Sequence, residues 1–542
     1  MTIIAQPTGT AFRFEQKGSV ILQRWMNERL RARSAAQQPQ PAFGVPRAAR
    51  RSFSAAEFSR LASDWRAGEV SINTLLEAGL PTMRARSRVA ARSTEEGRRF
   101  LSLCRNNIVG PHGFMLQSTC GDWVRGQGGY VWQLDSMANA AIEEHWRRWI
   151  AKGGGCDITG RQSLTGMLRT LGEQIPRDGE GLLVIVRGKG AGNPYRIALQ
   201  HITADRIDHH YRGIASNGNV VRMGVEIDST GAPQAVYVLE RDPKDAGSVD
   251  SQPTLRRRIP MRDVVHAFVS LEAEQLRGVP WAHAVMAGAN MLHGFEESAV
   301  VAARVGASHM GFYVPPADEG APDLEQLATD KTSEGDLLTD ASPGQFERLP
   351  PGYDFKAFDP RYPSDAFDPF VKARKKAMAA GLDVAHHNLT GDMEGVNYSS
   401  ARIAELSERD NWRGLQQWFI ESICQPIAQT WLEMALLSGA ITMPGGSALP
   451  AAKIDKFRAG LVFRGRGWAW VDPEKEVNAA AKALEEGLTT RTQIVAATGG
   501  DFEDNVIELA REAQLANTHG VAFGPRTATP APPAPPRQET PT

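Results

Sequence analysis

Residues 389–414 read LTGDMEGVNYSSARIAELSERDNWRG. The first part, with Gly391, Asp392, Gly395 and Asn397, reads as a polar, glycine-bearing loop. From Ser399 an amphipathic helix continues without a breaker until Pro426. Trp412, Leu415, Phe419, Ile423, Ile427, Trp431 and Met434 follow at steps of three or four, the spacing of one buried helix face. Continuous from Ser399 to Ser438, this helix would be about 60 Å long. Pro426 is expected to kink it, and Asn397 or Ser399 to cap it. A flexible loop on so long a helix suits a catalytic lid, or a loop that touches something passing by.

Upstream, residues 365–383 read as a helix, and residues 279–308 as another with Pro280 near its first turn. Between them lies a segment punctuated by proline and glycine. Residues 179–270 hold several β-branched, alternating runs: GEGLLVIVRG, YRIALQHI, NVVRMGVEID, PQAVYVLE and DVVHAFV. EEHWRRWIAKGG is an amphipathic helix stopped by glycines, and RNNIVGPHGFMLQ a helix end, a turn and a strand. Downstream, LVFRGRGWAWVD looks like a strand, followed by helices near 474–487, 490–497 and 501–516. The end, TATPAPPAPPRQETPT, is proline-rich and expected to be extended or disordered.

The 542 residues give room for two or more domains, and 42% hydrophobic against 23% charged residues can bury a core. A net charge of -1 predicts neither nucleic-acid nor membrane binding by itself. Cys104, Cys120, Cys156 and Cys424 are scattered without a C-x-x-C pair, which argues against a disulfide framework or zinc ribbon and fits a reducing compartment. The start, MTIIAQPTGTAFRFEQKG, has no compact apolar run behind basic residues, so no secretory signal is expected there. His293, Glu296, Glu297 and Arg304 argue against a bilayer span in the most apolar helix. Charge is uneven: residues 1–50 carry eight Arg or Lys against two acids, and a second basic segment, MRARSRVAARSTEEGRRF, spans 83–100. It is either a solvated helix face or a surface for phosphates or an acidic partner.

No P-loop, G-x-S-x-G elbow or H-E-x-x-H is present, so no enzymatic activity and no cofactor are expected. RGKGAGNP (187–194) sits between two strands with no helix to receive a phosphate. His386 and His387 beside Asp383 are adjacent and point apart, which suits polar loop histidines better than a metal site. Asp359, Asp365 and Asp368 lie in Asp-Pro and Ser-Asp turn chemistry, with Asp365 a candidate helix cap. In VKARKKA, Lys372, Lys375 and Lys376 share one helix side, as a solvated face or a surface toward a polyanion.

Segments 83–117, 274–314, 349–405 and 468–506, in that order, resemble the portal proteins of tailed bacteriophages, specifically the lambda-like group. The resemblance implies an α+β portal fold with a β-rich wing, two stem helices flanking a clip, a long kinked tunnel or wing helix and a helical crown. Its domains would be a basic N-terminal arm and wing at 1–278, a first stem helix at 279–310 and a clip at 311–358. A second stem helix at 359–383, a tunnel loop at 384–398, the wing helix and strand at 399–472, a crown at 473–520 and a proline-rich tail at 521–542 would follow.

By the same resemblance, about twelve copies form a ring at one capsid vertex, through which double-stranded DNA enters and leaves without sequence-specific reading. The implied partners are the terminase large subunit, a head-tail adaptor, and the major capsid and scaffolding proteins, in a virion assembled in the host cytoplasm, with no membrane. The loop residues facing DNA would be His386, His387, Asn388, Gly391, Asp392, Glu394, Gly395 and Asn397. Lys372, Lys375 and Lys376 would be channel-facing cations, and Glu334 and Asp336 clip docking residues. The competing readings are a capsid-associated nuclease or maturation protease, for which no converging acid, base or nucleophile is visible, and a head-tail adaptor without a channel.

Overall fold

A computed structural model describes residues 70–126, 129–245, 255–307, 311–314, 354–357, 366–468 and 472–521. Helices and sheets are interspersed along them. Ser71 caps α1 (Ile72–Ser93) by accepting the Thr74 amide. Thr94 ends α1 and caps α2 (Glu95–Cys104), whose first turn carries Glu95 and Glu96, favourable charges at a helix N-terminus. A π turn, Arg105–Val109, leads to β1 (Met115–Ser118) and to a hairpin of β2 (Gly121–Gly126) and β3 (Gly129–Leu134). Next come α3 (Ser136–Ile150), capped by Asp135, and α4 (Leu164–Asp178), capped by Ser163.

Two sheets form the expected β-rich block. β4 (Gly181–Arg187) pairs antiparallel with β5 (Ile197–Ile202), and the glycines of 187–194 make the turn between them. β6 (Gly213–Ile214), β7 (Val220–Arg222), β8 (Val225–Ile227), β9 (Pro233–Leu239) and β10 (Arg256–Pro260) make a five-stranded sheet in the order β10-β9-β8-β7-β6. β11 (Val264–Ala267) returns to the free edge of β4. NVVRMGVEID is thus a hairpin and not one strand. Gly224, at φ +76, makes the turn, and a Cβ there would lie 2.6 Å from the Asp208 carbonyl oxygen.

Pro280 begins a 3-10 turn, Trp281–Ala284, so α5 (Met286–Ala307) starts later than the proline position suggests. β12 (Gly311–Val314) and β13 (Asp354–Ala357) pair antiparallel, bringing together the two ends of the segment between them. Glu334 and Asp336 in that segment, and Asp359 and Asp365 after it, lie outside the described residues. α6 (Phe367–Gly381) packs on α5, with Phe367 stacked on Phe295 at 5.6 Å between ring centroids.

The short α7 (His386–Thr390) precedes α8 (Tyr398–Phe419). The long helix is interrupted by a π turn, Ile420–Cys424, before α9 (Gln425–Leu437). Pro426 lies in the first turn of α9 and has no N–H to donate, so the ladder is broken beside it. α10 (Ile454–Ala459) leads to β14 (Leu461–Arg464), which pairs with β1 from the other end of the chain. α11 (Pro473–Glu485), α12 (Arg491–Ala497) and α13 (Phe502–His519) follow.

The α8–α9 stripe sits in the main core. Trp412, Phe419, Ile423, Ile427 and Trp431 are buried, with Leu415 and Met434 packed against them. Trp431 meets Trp146 edge-on at 5.1 Å, and Phe419 stacks on Phe114 at 5.3 Å. The arginine-rich α1 serves an internal partner. Arg84 is 2% exposed and binds Glu180 at 2.9 Å and Asp205 at 3.0 Å. Arg88 pairs with Asp178 and Asp205, while Arg277 and His266 complete the shell of Glu180. Two basic residues of 83–100 are therefore neither solvated nor free for phosphate.

Candidate functional site

α7 is short but firmly held. Its Leu389 is buried, as is Val384 just before it. Glu408 of α8, itself only 6% exposed, accepts the Ala385 amide and the Asn388 side-chain amide, both at 2.8 Å. Its other oxygen accepts the Trp412 indole N–H at 2.9 Å. Asn388 also donates to Glu405, and Arg99 donates to the Asn388 carbonyl at 2.8 Å. Asn411 reaches back to the Asp383 carbonyl oxygen. The proximal half of the expected loop, 384–390, is thus a helical turn bolted to α8. Sequence reading missed it because five residues carry no helical period of their own.

Gly391 closes α7 in the left-handed region, at φ +76, with its amide on the His387 carbonyl at 2.8 Å. Gly395 has φ +71, and a Cβ on either glycine would meet nothing within 4 Å. Both glycines therefore answer to backbone geometry and not to crowding. Between them, the Glu394 amide donates to Asp392 at 2.9 Å. Asn397 caps α8 in a capping box with Ser400, one of the two caps expected. Residues 391–397 are the open part, with Met393 60% exposed. His387 keeps its place in the turn, and the half-buried His386 is held below the usual histidine range by burial.

The three lysines do not form one free patch. Lys372 bridges Asp368, at 2.9 Å, and Glu394 of the loop. The hydrogen bond it donates to Glu394, then the one it donates to Asp368, raises its pKa above the ordinary lysine value. Lys375 turns toward α2 and α5, bound to Glu96 at 2.9 Å and Glu296 at 3.0 Å. Burial pulls its pKa down, but those two carboxylates outweigh it and the net shift is upward. Lys376 is exposed. The unforeseen residues, Glu408, Glu405 and Arg99, had one visible signal: Glu408 stands four residues before Trp412, on the apolar stripe.

Among the described residues no group of three or more His, Cys, Asp or Glu is arranged to hold a metal ion, and no helix is long and apolar enough to cross a membrane.

A family model described as phage portal protein, lambda family, matches residues 58–416. The probable portal protein of Halomonas phage phiHAP-1 is 30% identical over 483 residues, covering 87% of this chain and 88% of that protein. Portal protein B of Escherichia phage lambda is 21% identical over 399 residues, covering 70% and 74% respectively. Among solved structures, a chain in the neck of an empty GTA particle matches with a TM-score of 0.40 and 14% identity, over 81% of this chain and 98% of that one.

Proposed function

The chain belongs to the lambda family of phage portal proteins, and from that membership we propose that about twelve copies close into a ring whose channel passes double-stranded DNA. The observation that carries the reading is the two-part loop: a bolted turn at 384–390 and an open arc at 391–397 on the end of α8. Such a pairing lets an exposed arc meet a moving duplex while its anchor stays fixed. Asp392 and Glu394 repel phosphate, the exposed Lys376 attracts it, Lys372 is already neutralised by Asp368 and Glu394, and none of these groups reads a base. The contact is then weak and independent of sequence, as sliding requires.

α5 supports closure into a ring. Met291, Val300 and Val301 are 75%, 59% and 53% exposed, apolar surface that neighbouring copies would cover. The β12–β13 pair joins the ends of the segment assigned to the clip, with Glu334 and Asp336 the proposed docking positions for the terminase large subunit and the head-tail adaptor. Major capsid and scaffolding proteins would meet the ring's outer face. Its place is the portal vertex of the virion, after assembly in the host cytoplasm, and its role is structural.

The test is electron microscopy of the purified protein, followed by packaging with a chain lacking 391–395. We expect rings with a central hole from both chains, and shorter DNA retained per particle with the deletion. Monomers or closed shells in place of rings, or magnesium-dependent DNA cleavage that copurifies with them, would overturn the reading. Full-length DNA in the deletion particles would remove the loop from it.

A further inference from the structure

The β2–β3 hairpin is exposed along almost its whole length. Its strands alternate, so Trp123, Arg125, Tyr130, Trp132 and Leu134 share one face. Trp123 and Trp132 stand directly opposite each other and meet edge-on at 5.4 Å. Trp123 is 65%, Tyr130 71% and Trp132 46% exposed. Gly121 makes room for this face, since a Cβ there would lie 2.9 Å from the Trp132 ring. A two-stranded ribbon is marginal by itself, but the root of this one is fixed. Lys456 binds Asp122 at 2.6 Å and Asp135 at 2.7 Å, and the Thr119 amide donates to the Gly460 carbonyl at 2.8 Å.

The chain carries a segment chemically suited to this face. Its last 21 residues, after residue 521, contain seven prolines, with PAPPAPP at 530–536. Such a sequence favours polyproline II, whose pre-set backbone loses little entropy on docking to aromatic surfaces. Tyr130 and Trp132 are ~6.8 Å apart along their strand, between the ~6.2 and ~9.3 Å that separate residues two and three apart in polyproline II. Reach is sufficient. Arg464, on the strand paired with β1 at the root of the hairpin, donates to the Gly500 carbonyl just before α13. The 18 residues of α13 span ~27 Å, and the 9 to 15 extended residues that lead from 521 to 530–536 reach ~28 to ~47 Å.

We propose that the aromatic face of Trp123, Tyr130 and Trp132 is the docking site for this subunit's own segment 530–536. The proposal does not depend on the ring or the channel. It is tested by hydrogen exchange of the hairpin amides in the full-length chain and in a full-length variant with Pro532, Pro533, Pro535 and Pro536 changed to Ala. We expect roughly tenfold faster hairpin exchange in the variant, reversed by adding a synthetic peptide of residues 528–538. In that background Trp132→Ala removes the response to peptide. Trp132→Phe retains part of it, which separates a lost ring contact from a lost hairpin. Equal exchange in wild type and variant would overturn the proposal. So would protection that rises with protein concentration and ignores the prolines, since a second copy then covers the face.

Discussion

Glu408 accepts the backbone amide of Ala385 at 2.8 Å, joining α8 to a turn 23 residues earlier in the chain. Because the same buried carboxylate also holds Asn388 and Trp412, Glu408→Ala strands three donors at once. We expect a loss of about 2–3 kcal/mol, read by denaturant unfolding, with new proteolytic cleavage confined to 384–398. Unchanged stability and cleavage would mean that the turn stands without its bolt.

Gly391→Ala places a Cβ in open space, so only the backbone penalty of a left-handed residue remains. The expected cost is about 1–2 kcal/mol, with Gly391→Asn milder. A crystal structure of the alanine variant with φ near +76 and no loss of stability would contradict this.

Lys375→Glu sets a third carboxylate beside Glu96 and Glu296. It should destabilise the fold by roughly 1–2 kcal/mol, whereas Lys376→Glu should stay within about 0.5 kcal/mol of wild type. If the channel reading is right, Lys376→Glu still shortens the DNA retained per particle. Thermal unfolding and particle DNA length separate the two effects, and equal unfolding curves for both variants would dissolve the distinction.

The carboxylates around Arg84 fix the acid limb of stability. Burial opposes the charge of Glu180, but Arg277 and Arg84 outweigh it and hold its pKa well below the usual value. Asp205, also against burial, is held at about 2 by Arg88 and Arg84. Depressed folded-state values stabilise the protein above the unfolded carboxylate range, near pH ~4. That stabilisation is lost as pH falls from there through the folded values toward about 2. Glu180→Gln should cost about 3–5 kcal/mol at neutral pH and flatten the decline below pH ~4. A parallel decline in wild type and variant would show that the cluster contributes nothing to it.

What the sequence disclosed, and what it hid, divides by range. β4 and β5 could be read because their alternation and the glycine turn between them are local, and Asn397 because a cap acts within three residues. The stripe from Trp412 to Trp431 was plain for the same reason. The arginines of α1 resisted, since Arg88 and Arg84 meet their acids 90 to 121 positions away. A charged helix face looks the same whether water or a distant carboxylate covers it. The candidate loop was half legible: its glycines and cap were visible, but its bolt depends on a contact that only the fold creates. The lysines looked like one patch because helical spacing places side chains on a side without saying what stands opposite.

The π turn at Ile420–Cys424 also fixes an angular relationship. Phe419, Ile423, Ile427 and Trp431 recur every four residues, a spacing that an unbroken 3.6-residue helix would carry about 40° around its axis at each step. The wider turn absorbs part of that drift, so both halves of the rod present their rings to the same side. Length within 420–424 is therefore a phase setting. Removing one residue there would turn everything downstream by ~100°, swinging Trp431 away from Trp146 and Trp149 while leaving every helix-forming residue in place.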